Sequence, residues 1–288
     1  MTKLNVNGVR YDPAAQDGHV ESFFFKATAP DAQRAIWIKA TIFRDHSGAR
    51  AEAWAIAFDH RKESRAHVAV KHTLPFSEAS FGREALDIQW QTDHGDLIEI
   101  TAHHLRGRVH TEDHDLAWDL RLNPHGEPFI TLPLDRMYSS RFPSSKTITP
   151  YPNASFFGSF TVDGEKWSVD EWRGMQGHNW GRGHAELYAW CHCNQWNCGD
   201  DLILEAVSAR VPVGPLKPTM TVIYVRHRGQ DHAFHGPREL LNARGDIGLR
   251  RYSFEAKSRD AKIRGEIDAP SADFVGLYYP NPNGPMTY

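Results

Sequence analysis

The chain has 288 residues, 40 % apolar and 24 % charged, with a formal net charge of −3. That balance gives no basic footprint for nucleic acid or an anionic membrane, and no apolar run approaches the ~18 residues that cross a bilayer as a helix. The first ten residues lack the continuous apolar core of a secretion signal. Three cysteines, Cys191, Cys193 and Cys198, cannot all pair with one another, so a reduced, cytoplasmic setting fits best.

Strand signals dominate in chain order. Ala35–Phe43 sets Ile36, Ile38 and Ile42 on one face against Trp37, Lys39 and Thr41 on the other, the period of a half-buried strand. A polar turn, Asp45-His-Ser-Gly48, leads into a second strand at Ala51–Phe58. Further short strands are predicted at Ala66–Leu74, Leu86–Trp90, Leu97–Ala102, Arg106–His110 and Leu116–Leu122. Prolines then interrupt Asn123–Pro152, which reads as a long connector. Strands resume at Ser155–Val162, Lys166–Trp172, Leu187–Trp196, Leu202–Val211, Thr219–His227, His232–His235, Gly248–Ala256, Ala261–Ile267 and Phe274–Tyr279. Asp163-Gly164 is a hairpin signal, and one short helix is expected near Pro237–Ala243. The length suggests two domains, here 1–135 and 136–288. Many short, closely spaced strands with almost no helical periodicity predict an all-β barrel or sandwich.

The densest chemistry lies between Trp172 and Trp196. This stretch holds Trp172, Trp180, Trp190, Trp196, His178, His184, His192, Asn179 and Asn194, out of nine tryptophans in the whole chain. Gly174, Gly177, Gly181 and Gly183 would let its backbone turn tightly and approach its neighbours closely. In a strand from Leu187 to Trp196, alternation puts Tyr188, Trp190, His192, Asn194 and Trp196 on one face, with Ala189, Cys191 and Cys193 on the other. An aromatic face with polar tips suits a pocket for a bulky apolar molecule, though tryptophan also fills cores.

Within that stretch His178 can give or take a proton near neutral pH, Trp180 can face a developing cation, and Asn179 can orient water or the imidazole. Glu205 stands among Leu202, Ile203, Leu204, Ala206 and Val207; a carboxyl so placed is desolvated and becomes a proton donor, unless it faces outward against an arginine. Cys191, His192 and Cys193 alternate faces and so do not read as a zinc set, and no metal is expected. No nucleotide-binding glycine motif or serine-hydrolase elbow is present, so no cofactor is expected.

The run Trp172-Arg-Gly-Met-Gln-Gly-His-Asn-Trp-Gly181, followed by the Trp190 strand, resembles the Gly-His-Asn-Trp-Gly signature of a lipocalin-like superfamily. That group includes the carotenoid 1,2-hydratases (hydroxyneurosporene synthases), the tocopherol cyclases and the AttH-like bacterial proteins. The resemblance extends weakly over 143–162. It implies two consecutive lipocalin-like antiparallel β-barrels with little helix, the second carrying the motif. It also implies protonation of an isoprenoid double bond, with the cation captured by water or an internal hydroxyl, and places the signature roles on His178 and Trp180. The hydratases carry a tyrosine and an acidic residue further on; here Glu205 has no tyrosine beside it in sequence.

The expectation is therefore a cofactor-independent hydratase, lyase, cyclase or isomerase acting on a hydrophobic, terpenoid-like small molecule. His178 or Glu205 would donate the proton. Trp180 and Trp190 would wall the cation, and Asn179, Tyr188, His192 and Asn194 would bind substrate or water. The rival readings are a non-catalytic carrier of a lipid or isoprenoid and an interaction module without a small ligand.

Overall fold

The computed structural model describes residues 4–61, 66–199, 201–213, 215–274 and 280–282. In the first half, alternating sequence becomes strands β1 (His19–Thr28), β2 (Arg34–Asp45), β3 (Gly48–Asp59), β4 (Ala66–Pro75), β5 (Ser80–Phe81), β6 (Asp87–Gln91), β7 (Leu97–Thr101), β8 (His104–His110) and β9 (Asp115–Pro124). Next come β10 (Phe129–Ile130) and two long strands, β11 (Ser145–Val162) and β12 (Glu165–Gly181). The remainder forms β13 (Tyr188–Cys193), β14 (Leu202–Arg210), β15 (Thr219–His227), β16 (Gln230–Phe234), the short helix α1 (Pro237–Asn242), β17 (Arg244–Ile247), β18 (Arg251–Lys257) and β19 (Lys262–Asp268). The protein is nearly all β, as expected. The expected strand Phe274–Tyr279 lies, apart from Phe274, outside the described residues.

Two hairpins form where turn chemistry predicted them. Asp45 pairs with Gly48 across His46-Ser47, and the Asp45 carboxylate accepts the Ser47 backbone N–H at 2.8 Å. Asp163 and Gly164 have φ of 48° and 84°, the double positive φ that a tight two-residue hairpin turn demands.

The large antiparallel sheet runs β4-β3-β2-β1-β12-β11-β9-β8-β7-β6-β5 and curls into a half-barrel. One face carries Phe23, Phe25, Ile36, Ile38, Val70, Ile88, Ile98, Leu105, Leu116 and Trp118 in a single core. Residues from both ends of the sheet share that core, so the curl is what buries it. Across this concave face β3 contributes only Ala51, Ala53, Ala55 and Ala57.

Two compact units result, and their boundaries differ from the expected division at 135/136. The first comprises 1–128, 148–183 and 277–288, and the second 129–147 and 184–276. The motif strand therefore belongs to the first unit, because β12 pairs with β1 over nine register positions from Val20↔Gly181 to Thr28↔Arg173. The expected connector is also shorter: β11 runs through Pro150 and Pro152. Its ladder with β9 begins only at Ala154, so neither missing N–H interrupts that ladder.

In the second unit β13-β14-β15-β16 form one sheet and β17-β18-β19 another. Leu204, Ala206, Ile223, Val225 and Phe234 of the first meet Tyr252, Phe254 and Ala256 of the second in one core. Ser208 Oγ joins the sheets through hydrogen bonds of 2.8 Å to both Thr221 and Tyr252.

Candidate functional site

Gly174 and Gly177 form no turn, contrary to the sequence expectation; both lie within β12. They are needed for close approach. A Cβ on Gly177 would overlap the Phe24 ring, and one on Gly174 would overlap the Lys26 carbonyl and the Phe156 ring. Strand alternation then sends Gln176, His178 and Trp180 to the concave face and Gly177 and Asn179 to the outer one.

His178 is fully buried. Its ring lies 4.1 Å from that of Phe23 at 16°, and 4.7 Å from that of Trp180. Nδ1 stands 2.8 Å from the Val6 carbonyl oxygen and Nε2 2.9 Å from Glu21 Oε1. A carbonyl can only accept, so Nδ1 donates. Glu21 also accepts the backbone N–H groups of Arg10 and Tyr11 at 2.8 Å each and faces His19 Nε2 at 3.1 Å. Burial pushes the Glu21 carboxyl up, but the hydrogen bonds and charges of His178 and His19 outweigh it and bring it down to about 2. An ionised carboxylate only accepts, so Nε2 donates to Glu21. Both ring nitrogens are thus engaged within the protein. Trp180, 7 % exposed, is held between this imidazole and the Arg10 guanidinium, 5.1 Å from its ring.

In the second unit the expected face exists on β13 and continues across β14 and β15. His192 sits opposite Glu205, and Glu205 opposite Tyr224. Trp190 Nε1 donates to Glu205 Oε1 at 2.8 Å, and Glu205 is only 2 % exposed. The Trp190 and His192 rings run nearly parallel at 15°. Tyr224 stacks on Phe129 at 3.9 Å; burial and the Asp231 carboxylate push its phenol up to about 12. A tyrosine of the next strand thus stands opposite Glu205 in the register. His192 and Asn194 are buried, whereas Tyr188 is 46 % exposed at the strand's start and lines no buried surface. Trp196 departs from the alternation too: it lies beyond β13, packs on the core between the two sheets and donates to the Leu202 carbonyl at 2.7 Å.

The expected residues therefore form two groups, His178, Asn179 and Trp180 in one unit and Tyr188, Trp190, His192, Asn194 and Glu205 in the other. Two surface grooves, one beside Arg121, Phe157 and Lys166 and one beside Arg244, Phe254 and Arg264, include none of them.

Sequence reasoning missed a third group, on the outer face of the large sheet. Register aligns Gly177, Phe24, Lys39, Trp54 and Lys71 in one row, and Asn179, Ser22, Thr41 and Glu52 in the next. Lys39 is 4 % exposed. A lone lysine on the polar side of an alternating strand reads as solvated, so only the register brings it to notice.

No family model matches the chain, and no curated protein matches it by sequence. Solved structures match by fold. CghA aligns with a TM-score of 0.58 and 10 % identity, covering 93 % of this chain and 82 % of its own. CghA with Sch210972 aligns at 0.54 and 11 %, covering 92 % and 82 %. An AttH-like protein of Nitrosomonas europaea aligns at 0.50 and 13 %, covering 88 % and 82 %. The chain shares its fold with these three structures. At these identities the likeness concerns the fold alone.

Proposed function

We propose that the protein is an enzyme of the hydratase or cyclase kind, which protonates a carbon–carbon double bond of a hydrophobic, terpenoid-like substrate with Glu205 as the acid. The observation that carries this reading is the buried hydrogen bond from Trp190 Nε1 to Glu205 Oε1 at 2.8 Å. An indole N–H only donates, so Oε1 accepts, and in the proposed acid the proton is carried on Oε2. A carboxyl withdrawn from water favours its uncharged, donating form.

Transfer of that proton to an alkene carbon leaves a carbocation and the Glu205 carboxylate. The Trp190 and Tyr224 rings offer negative faces to the cation. Water held by Asn194 or His192, or a hydroxyl of the substrate itself, then captures it, and the surplus proton returns to Glu205. Proton loss from a neighbouring carbon instead gives an isomerised alkene. The balance closes with protons alone, so the proposed reaction calls for no cofactor. The signature at Gly177–Gly181 and the shared fold support this kind of chemistry.

Incubation with a panel of acyclic isoprenoid alkenes in D2O tests the proposal. The expected result is a product bearing deuterium on a former alkene carbon, with incorporation abolished in Glu205→Gln while alkene binding persists. Binding without deuterium in the wild-type protein would overturn it in favour of a carrier. Equal incorporation in Glu205→Gln would overturn the assignment of the acid.

A further inference from the structure

The groove beside Arg121, Phe157 and Lys166 has no part in that chemistry. It lies on the outer face of the large sheet, where β9, β11 and β12 run, and holds about 630 Å³. Strand alternation builds it. Leu120, Leu122, Phe156, Phe160, Trp167 and Val169 are buried in the core, so their neighbours Asp119, Arg121, Phe157, Ser159, Lys166 and Ser168 face outward. Gly158 breaks that order. Alternation would bury it between Phe156 and Phe160, yet it is exposed, at φ 132°. A Cβ there would overlap the Asp119 carbonyl oxygen, so at this point β11 presents bare backbone to the groove.

Arg121 stands opposite Phe157 in the register, and Asp119 opposite Ser159. The Asp119 carboxylate is 2.9 Å from His104 Nε2. Among the described residues, Arg121 and Lys166 have no anionic partner, and the Ser159 and Ser168 hydroxyls have no hydrogen-bond partner within the protein. Two cations, two hydroxyls and one ring thus share a single groove. The other groove differs: register sets Glu255 between Arg244 and Arg264, and Asp246 adds a second carboxylate, so its charges balance within the protein.

We propose that the Arg121–Lys166 groove is a binding site for a small aromatic oxyanion, a carboxylate or phosphate carried on an apolar ring. The planar Arg121 fork takes two oxygens of the head group, and Lys166 supplies a second positive charge. The Ser159 and Ser168 hydroxyls donate to the same head group, and the ligand ring packs against Phe157. The site lies wholly in the first unit and stands whether or not Glu205 protonates an alkene.

The test is titration of the isotopically labelled full chain with benzoate and with phenyl phosphate, followed by amide chemical shifts. The Gly158 and Ser159 amides should move saturably, with a Kd on the order of 1 mM or below for the better probe, while Gly245 in the other groove stays still. The tighter of the two probes gives the class of the head group. Arg121→Gln should weaken binding about tenfold, as loss of a charge-assisted hydrogen bond does, and Lys166→Gln should weaken it several-fold. Both side chains are exposed, so neither variant disturbs the core. Inorganic phosphate should bind more weakly than phenyl phosphate, and uncharged benzyl alcohol should move the same amides little. Shifts that never saturate, an affinity unchanged in Arg121→Gln, or benzyl alcohol binding as well as benzoate would each overturn the proposal.

Discussion

Glu21 and His178, 157 positions apart in sequence, meet at 2.9 Å between Oε1 and Nε2 with no exposed side-chain surface on either. Two backbone N–H groups and two imidazoles converge on one carboxylate. The pair anchors residues 6–11 to the motif strand, since His178 binds the Val6 carbonyl while Glu21 binds the Arg10 and Tyr11 amides.

Removing one partner of a buried ion pair leaves the other charged and unpaired, which costs about 3–5 kcal/mol. Glu21→Gln should therefore lower the thermal midpoint markedly, and a double-mutant cycle with His178→Gln should return a coupling well above 1 kcal/mol, as pairs in one network do. The pH dependence has a definite sign. Glu21 has a folded value of about 2 against an ordinary 4.5, so its stabilisation is complete above pH ~4.5 and disappears as pH falls toward ~2. Denaturation of wild type and Glu21→Gln across that window should show the difference between them shrinking.

Gly177→Ala puts a methyl group where the Phe24 ring lies. Overpacking of this kind costs about 1–3 kcal/mol. The variant should be destabilised by that amount in urea, and Phe24→Leu, itself mildly destabilising, should restore part of the loss in the Gly177→Ala background. Additive losses would show that the glycine is needed for another reason.

How far the sequence was readable depended on whether the pattern was local. β15 matches the expected Thr219–His227 in both bounds because its β-branched and aromatic run lies between Pro218 and the turn at Arg228-Gly229. β1 was not expected: Phe23, Phe24 and Phe25 are all buried, one on one face and its neighbours on the other, so the run shows no period. The motif strand was cut short at Trp172 because glycines read as turns, whereas the demand on them comes from Phe24 and Phe156 far away in the chain. Glu205 and Trp190 were found from local composition. Tyr224, Glu21 and Lys39 were not, since each acquires its meaning only from strands paired across the sheets.

Lys39 gives stability an unusual pH dependence. Its folded value of about 7 lies below the ordinary 10.5, so between those values the unfolded chain binds more protons than the folded one. Stability from this group therefore rises as pH climbs from ~7 to ~10.5. The depression corresponds to a cost on the order of 5 kcal/mol for the folded state at pH below 7. Lys39→Met should accordingly be more stable than wild type at pH 6 in urea denaturation, with the advantage fading toward pH 10. Glu52, Arg50 and Lys71 on the same face remain in both proteins, so the difference reports Lys39.

Trp190→Phe separates the two things that Trp190 does. The ring survives as an aromatic surface, but the N–H that fixes Glu205 Oε1 is lost. A buried acceptor deprived of a donor costs about 1–3 kcal/mol, and Glu205 loses the indole N–H that orients its acidic proton toward one substrate carbon. If that loss falls on the transition state, deuterium incorporation should drop by about 10- to 100-fold, while affinity for the alkene changes little because the apolar contact remains. Should Glu205 and Trp190 only hold the sheet together, the variant would melt earlier and any surviving folded protein would turn over at the wild-type rate. Turnover per folded molecule, measured beside the melting curve, decides between them.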